Sequence, residues 1–380
     1  MAIVSAGRLK GLQEYYFSRK LVQLRQLGSS GEHVINLGIG SPDQPPAHNV
    51  IKVLNTATED ATIHGYQAYQ GIPELRRSLA AFYKRKFCTT LYDNHFLPMM
   101  GSKEAITHIS MAFLDKGDEV LIPSLAYPTY SSVTCMVEAK PVYYPLLPHK
   151  NWHPDWEFLA TLDTSKTKII WINYPHMPTG ASGNLALFER WVQFARERDL
   201  LLCHDNPYAF ILNESPTSVF QVDGALEWAL ELGSMSKTFN MAGWRIGWVA
   251  GKEDYLGDIM KIKSNMDSGM FKPIQLAACE ALKLDDNWFH QVNATYNKRK
   301  IKAYALLNQL KCKFTRNQAG MFIWAKVPGS DGEKLSDEVL KRHKIFLTPG
   351  FIFGEQGRSY IRISLCSPEK DFEEALHRIK

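Results

Sequence analysis

Lys237, in Ser234-Met-Ser-Lys237-Thr-Phe-Asn240, carries an amine that could do covalent chemistry. Taken alone, a lysine in such a polar turn is most often a solvated loop residue. Asp205 and His204 close the apolar run Leu200-Leu-Leu-Cys-His204, and strand alternation puts them on opposite faces. They are therefore not expected to act together. Asp205 alone reads as a helix cap, and His204 as a packed core histidine. Arg362 lies in the apolar-flanked run Tyr360-Ile-Arg-Ile-Ser-Leu365, where the bland reading is a surface arginine on an edge strand. Two glycine stretches carry no nucleotide site. Gly38-Ile-Gly40-Ser-Pro42 lacks the third glycine of a dinucleotide fingerprint, and Gly233-Ser-Met-Ser-Lys237-Thr238 lacks the second glycine of a P-loop.

The elements that must position these residues alternate in type. Between about residues 96 and 252, short apolar runs at 96–100, 119–122, 141–144, 168–173, 200–204 and 245–250 alternate with amphipathic stretches. This predicts a mainly parallel sheet with helices on both faces. Ligands in such sheets bind beyond the carboxyl ends of the strands, where Asp205, Lys237 and Pro175-His-Met-Pro-Thr-Gly180 fall. A long helical pattern over 272–309 follows. Short strand-like runs at 320–325, 344–347 and 360–365 and a final helical segment then suggest a smaller α+β domain. The expected division is residues 1–45 packing with the small domain, a large domain over 46–280, and the small domain over 281–380.

Composition narrows the function classes. The chain has 380 residues, 45% hydrophobic and 22% charged, as in an ordinary globular protein. Its net charge of +5 is spread without the basic stripe of a nucleic-acid binder, and it fits affinity for an anionic small molecule equally well. No stretch has the roughly 20 apolar residues of a membrane span, and the first ten residues lack the pattern of a signal peptide. A cytoplasmic protein is the expectation. The six cysteines show no Cys-x-x-Cys, so neither a zinc site nor a disulfide framework is expected, and no metal is assigned.

Residues 35–370 resemble the class I/II aminotransferases of fold type I, the aspartate aminotransferase superfamily. The matching stretches are Asn36-Leu-Gly-Ile-Gly-Ser-Pro-Asp43, Tyr66 to Arg76, Gly101-Ser-Lys-Glu-Ala, Pro123-Ser-Leu-Ala-Tyr-Pro128 and Pro178-Thr-Gly180. Asp205-Asn-Pro-Tyr208, Ser234-Met-Ser-Lys237, Gly243-Trp-Arg-Ile-Gly247 and Tyr360-Ile-Arg-Ile-Ser364 complete the ordered set. The resemblance implies a seven-stranded large domain with a smaller α+β domain, and pyridoxal 5′-phosphate as cofactor. It implies that Lys237 binds the cofactor as a Schiff base and then moves a proton. Asp205 would pair with the pyridine nitrogen, Tyr208 would donate to the phenolic oxygen, and Tyr127 would stack on the ring. Ser102 and Lys103 at a helix start would offer N–H groups to the phosphate, with Ser234, Ser236 and Arg245 completing that site. Tyr66 would reach the phosphate of a neighbouring subunit, implying a homodimer, and Asn265 and Ser268 would lie at that interface. Arg362 would grip the substrate α-carboxylate with its planar fork, helped by the Gly40 backbone.

One position departs from the family. Asparagine usually precedes Pro-Thr-Gly and donates to the cofactor's phenolic oxygen; here Met177 stands there, after His176. Methionine cannot donate a hydrogen bond. Either His176 or a water substitutes, or Tyr208 is the only donor, and the lysine–cofactor link is expected to hold its proton to higher pH. The expected reaction moves an amino group between an L-amino acid and a 2-oxo acid. The alternatives are a carbon–sulfur lyase of the cystathionine β-lyase type and a cofactor-binding protein without efficient catalysis. The glycine variants resemble the branch containing LL-diaminopimelate, alanine and aspartate aminotransferases.

Overall fold

The computed structural model describes residues 3–9, 12, 14, 16–29 and 33–380. Its centre is a seven-stranded sheet. The strands are β2 (Phe96–Met99), β3 (Glu119–Pro123), β4 (Lys140–Tyr144), β5 (Thr167–Ile172), β6 (Leu201–Asp205), β7 (Ala229–Ser234) and β8 (Gly247–Gly251), with β1 (Ile35–Asn36) lying elsewhere. Their spatial order is β2-β8-β7-β6-β5-β3-β4. Only β8 runs antiparallel to its neighbours; the other adjacent pairs are parallel.

The central strands are largely apolar because both of their faces are covered. Val120, Ile122, Ile169, Trp171 and Cys203 enter one core, while Leu121, Ile170, Ile172 and Leu202 enter the other. Successive residues thus part company across the sheet, which carries His204 to the second face and Asp205 to the first. The residues before Lys237 form the buried strand β7. Gly247 lets β8 pass the turn before the second helix. A Cβ there would stand 2.7 Å from the Gly233 carbonyl oxygen and 3.2 Å from the Ser102 nitrogen.

The helices that matter to the site are α1 (Tyr16–Ser29), α2 (Ser102–Phe113), α3 (Thr129–Met136) and the single turn α4 (Met235–Thr238). The helical pattern expected over 272–309 is two helices, α5 (Lys272–Leu282) and α6 (Asp286–Gln309). They break because Asp285 caps the second, its side chain accepting from the Trp288 backbone N–H. A three-stranded antiparallel sheet follows, formed by β9 (Phe322–Lys326), β11 (Thr348–Pro349) and β12 (Tyr360–Ser364). Beside it β1 pairs in parallel with β10 (Ile345–Phe346), so the N-terminal segment is tied to this C-terminal unit. Leu24 of α1 packs with Leu340 and Phe346 of the same unit. No helix among the described residues is long and apolar enough to cross a membrane.

Candidate active site

The ends of β6 and β7, the start of α2, strand β12 and helix α1 meet around a cavity of about 750 Å³. Lys237 enters it from α4, a turn whose first N–H groups are held by Ser234, the Oγ accepting from the Ser236 N–H at 3.1 Å. Lys237 Nζ donates to the Gly40 carbonyl at 2.7 Å. Burial lowers its pKa; Cys366 opposes this, and the cations Arg362 and Arg245 lower it further. It is therefore a lysine more readily deprotonated than a solvated one.

Asp205, at the carboxyl end of β6, faces the same space. Its Oδ2 accepts from the Tyr130 hydroxyl at 2.7 Å, while Oδ1 is buried with no hydrogen-bond partner among the described residues. Burial raises its pKa to about 6, against the lowering effects of the Tyr130 bond and His204. A buried carboxylate oxygen aimed into a cavity without a partner fits a cationic ligand atom, since leaving it unmatched is costly. Tyr127 and Tyr208 also line the cavity; burial raises the Tyr208 hydroxyl well above its ordinary range, so it stays protonated as a donor.

At one end the wall is a cradle for an anion. Gly101 has φ +95°, and α2 begins directly after it with Ser102 and Lys103. Arg245 folds over this turn, donating to the Met100 carbonyl at 3.0 Å and the Ala242 carbonyl at 2.9 Å. The φ of +95° favours glycine at 101, and a Cβ there would also lie 2.2 Å from Arg245 Nη2. Helix N–H groups and a guanidinium together suit a phosphate.

Arg362 projects from β12, a buried strand rather than the exposed edge of the bland reading. Its Nη2 donates to the Gly38 carbonyl at 2.8 Å, and Nη1 lies 3.4 Å from Met177 Sδ. The guanidinium is 3.8 Å from the Phe322 ring centre, 4.8 Å from Phe353 and 5.5 Å from Phe17. Cation–π contact with three rings fixes its fork. Gly40 is pinned below Phe322, whose ring would be 2.3 Å from an added Cβ.

Most residues named from the sequence line this one cavity: Gly40, Ser102, Lys103, Tyr127, Asp205, Tyr208, Ser234, Ser236, Lys237, Arg245 and Arg362. Tyr66 does not; it is 93% exposed on the surface. Asn265 also stands outside, its amide donating to the Lys261 carbonyl at 2.8 Å. His176 is not the substitute for the missing asparagine. Nδ1 is 2.8 Å from the Thr179 hydroxyl and Nε2 is 3.0 Å from the Leu125 carbonyl, so both ring nitrogens are engaged elsewhere. Burial lowers its pKa to about 4, leaving it neutral.

Sequence reading missed Tyr130, Asn173 and the α1 wall. Tyr130 stacks on Trp171 at 4.9 Å and 4°, which aims its hydroxyl at Asp205; its signal was a second tyrosine one helical turn after Tyr127. Asn173 binds the Asp205 carbonyl at 2.6 Å and the Met177 N–H at 2.8 Å, holding the strand ends together.

A sequence model described as aminotransferase class I and II matches residues 32–379. An LL-diaminopimelate aminotransferase from Halothermothrix orenii is 36% identical over 380 residues, covering 99% of this chain and 98% of that protein. One from Aquifex aeolicus is 36% identical with the same coverage. Among solved structures, substrate-bound BacF from Bacillus subtilis superposes with a TM-score of 0.93 at 31% identity, covering 100% of this chain and 97% of that one. A mutant of Thermus thermophilus aspartate aminotransferase shares the fold, with a TM-score of 0.92 at 23% identity and 99% coverage of both chains.

Proposed function

This chain belongs to the class I and II aminotransferase family and is a pyridoxal 5′-phosphate-dependent transaminase; from that premise we propose how its residues divide the work. The observation that carries the reading is the meeting of Lys237, the unpartnered Asp205 oxygen and the boxed Arg362 on one cavity. The bound cofactor supplies an electron sink for charge released at the substrate α-carbon.

Lys237 is the residue that would hold the cofactor through Nζ, and its free amine would move a proton at the substrate α-carbon. Its lowered pKa suits it to both tasks. Asp205 Oδ1 would pair with the ring nitrogen and favour its protonated form, and Tyr130 positions that carboxylate. Tyr208 would donate to the phenolic oxygen and Tyr127 would cover the ring. Ser102, Lys103, Ser234, Ser236 and Arg245 take the phosphate. Arg362 orients the amino acid by its α-carboxylate, with the Gly40 backbone alongside, so that the α-hydrogen faces Lys237. Substrates are an amino acid and a 2-oxo acid.

The finer reading adds three points. The chain works as a cytoplasmic homodimer in which Tyr66 and the neighbourhood of Asn265 and Ser268 face the partner. The large unit spans residues 46–280 and the small one 281–380, with residues 1–45 packed on the latter. The relatives' name points to LL-diaminopimelate as one substrate to try. The test is incubation with amino acid alone. A transaminase stops after one turnover per site and resumes when 2-oxo acid is added. Continuous release of ammonia without 2-oxo acid would sink the reading.

A further inference from the structure

Behind the phosphate cradle, α2 carries two metal-ligand side chains one turn apart. Glu104 and His108 stand at i and i+4, a spacing that stacks side chains on one face of a helix. Asp267, from the turn after the helix Glu253–Ser264, meets that face, and one donor atom from each of the three lies within 4.8 Å of the others. All three are largely out of solvent, the side chains of Glu104, His108 and Asp267 being 15%, 3% and 11% exposed. His108 Nδ1 is 3.1 Å from the Glu104 carbonyl, to which it donates, whereas Nε2 is buried with no hydrogen-bond partner among the described residues. A proton on Nδ1 leaves the lone pair on Nε2, the arrangement in which metal-binding histidines are held. Burial lowers the pKa of the ring, with Lys263 adding to that and Asp267 opposing, so it stays neutral.

The two carboxylates have other partners that fix them without filling the site. Glu104 Oε2 accepts from the Met100 N–H at 2.5 Å, and Oε1 stands 4.0 Å from His108 Nε2. Asp267 Oδ1 accepts from the Gly269 N–H at 3.2 Å, and Oδ2 from the buried Lys263 ammonium. Two carboxylates against one ammonium leave a negative charge in excess, and burial, with Asp267 adding to it, raises the Glu104 pKa. A cation would relieve that charge without a proton. An ion about 2.0–2.2 Å from each donor sets tetrahedral donors about 3.4 Å apart. Oε1 and Nε2 therefore need to close by only about 0.6 Å, a small side-chain adjustment. One imidazole nitrogen and two carboxylate oxygens suit Zn²⁺ and its neighbours rather than Mg²⁺ or Ca²⁺, which take oxygen ligands. The site also joins two working parts. Glu104 directly follows Ser102 and Lys103 of the cradle, and Gly269 packs on the segment after Tyr66, where an added Cβ would stand 2.6 Å from the Gln67 carbonyl oxygen.

We propose that Glu104, His108 and Asp267 bind one divalent ion of the Zn²⁺ class, which fixes the start of α2 and so holds the cofactor phosphate more tightly. The second half rests on the assignment of the phosphate to Ser102 and Lys103; the first half does not. Cofactor-loaded enzyme, treated with chelator, is titrated with Co²⁺ and then with Zn²⁺. One Co²⁺ per chain should bind, with visible bands to the red of the cofactor's, and Zn²⁺ should displace it. Glu104→Gln keeps the acceptor for Met100 and removes a charged ligand. It should weaken Co²⁺ by more than the roughly 10–100-fold that follows loss of a supporting contact. Lys263→Met removes the competing ammonium and should tighten binding, an effect of opposite sign. His108→Leu should abolish the bands, and His377→Gln, at an exposed histidine, should leave them as they are. Failure to bind one Co²⁺ per chain, or binding that Glu104→Gln and Lys263→Met both leave unchanged, would overturn the site. Cofactor release, followed by absorbance after dilution with a trapping apoenzyme, should slow several-fold with Zn²⁺ in the wild type and not in Glu104→Gln. Release that ignores a filled site would overturn the link to the phosphate. If Arg245→Met also leaves release unchanged, the phosphate assignment itself is what fails.

Discussion

Two neighbouring residues of β6 face opposite sides of the sheet and meet opposite fates. On one side His204 is fully buried, with Nδ1 2.8 Å from Glu231 Oε2 and Nε2 3.0 Å from the Tyr174 carbonyl. Glu231 also accepts from the Tyr83 hydroxyl, the Ser218 hydroxyl and the Val219 N–H at 2.8–2.9 Å. Every strong group in that network has a partner within the chain. On the other side Asp205 has one oxygen satisfied by Tyr130 and one left for something else. A closed buried network specifies structure, whereas an open buried acceptor marks where a ligand completes the protein.

Breaking each side should therefore cost different things. Asp205→Asn should lower kcat on the order of a thousandfold, the upper range for losing one electrostatic contact to developing charge, with little loss of thermal stability. The same carboxyl predicts a pH dependence. Its folded-state pKa is raised to about 6, so in the ligand-free chain it favours folding while protonated, and that contribution is lost as pH rises through 6. Cofactor affinity runs the other way, because only the ionised form balances a protonated ring nitrogen. Fluorescence titration with pyridoxal phosphate should show affinity falling as pH drops below about 6, and Asp205→Asn should flatten that dependence.

Glu231→Gln should do the reverse, destabilising the fold by about 3 kcal/mol, as expected when one partner leaves a buried pair. Denaturant unfolding would register the loss, while the absorbance titration of the bound cofactor should keep its midpoint. A shifted midpoint would show that the two faces are coupled. The smallest effect is expected at Met177, whose sulfur lies 3.4 Å from Arg362 Nη1 in the cavity wall. Met177→Asn restores a donor to the phenolic oxygen and should lower the titration midpoint by about one pKa unit. An unchanged midpoint would reject that role.

Much of this division was legible in the sequence, because it follows from strand period and from motifs that are local. Alternation alone separated His204 from Asp205, and Lys237, Tyr208, Arg245 and Arg362 could be named from short segments. What escaped was long-range. Tyr130 reaches Asp205 across 75 positions, and only the stacking on Trp171 fixes where its hydroxyl points. The contribution of α1 depends on which arc its anchors leave facing inward, and those anchors lie more than 300 positions away, in 337–351. His176 looked available from the sequence until Thr179 and Leu125 were seen to occupy both its nitrogens. The break between α5 and α6 was hidden because residues 283–285 keep the surrounding helical pattern while Asp285 caps the next helix.

The central claim is that Lys237 holds the cofactor covalently in this cavity, and its most direct test is chemical. The enzyme is loaded with pyridoxal phosphate, reduced with borohydride, digested and mapped by mass spectrometry. One modified peptide is predicted, carrying the cofactor on Lys237, and Lys237→Ala should lose both the adduct and turnover while remaining folded. An adduct on another lysine, or turnover retained in Lys237→Ala, would contradict the account.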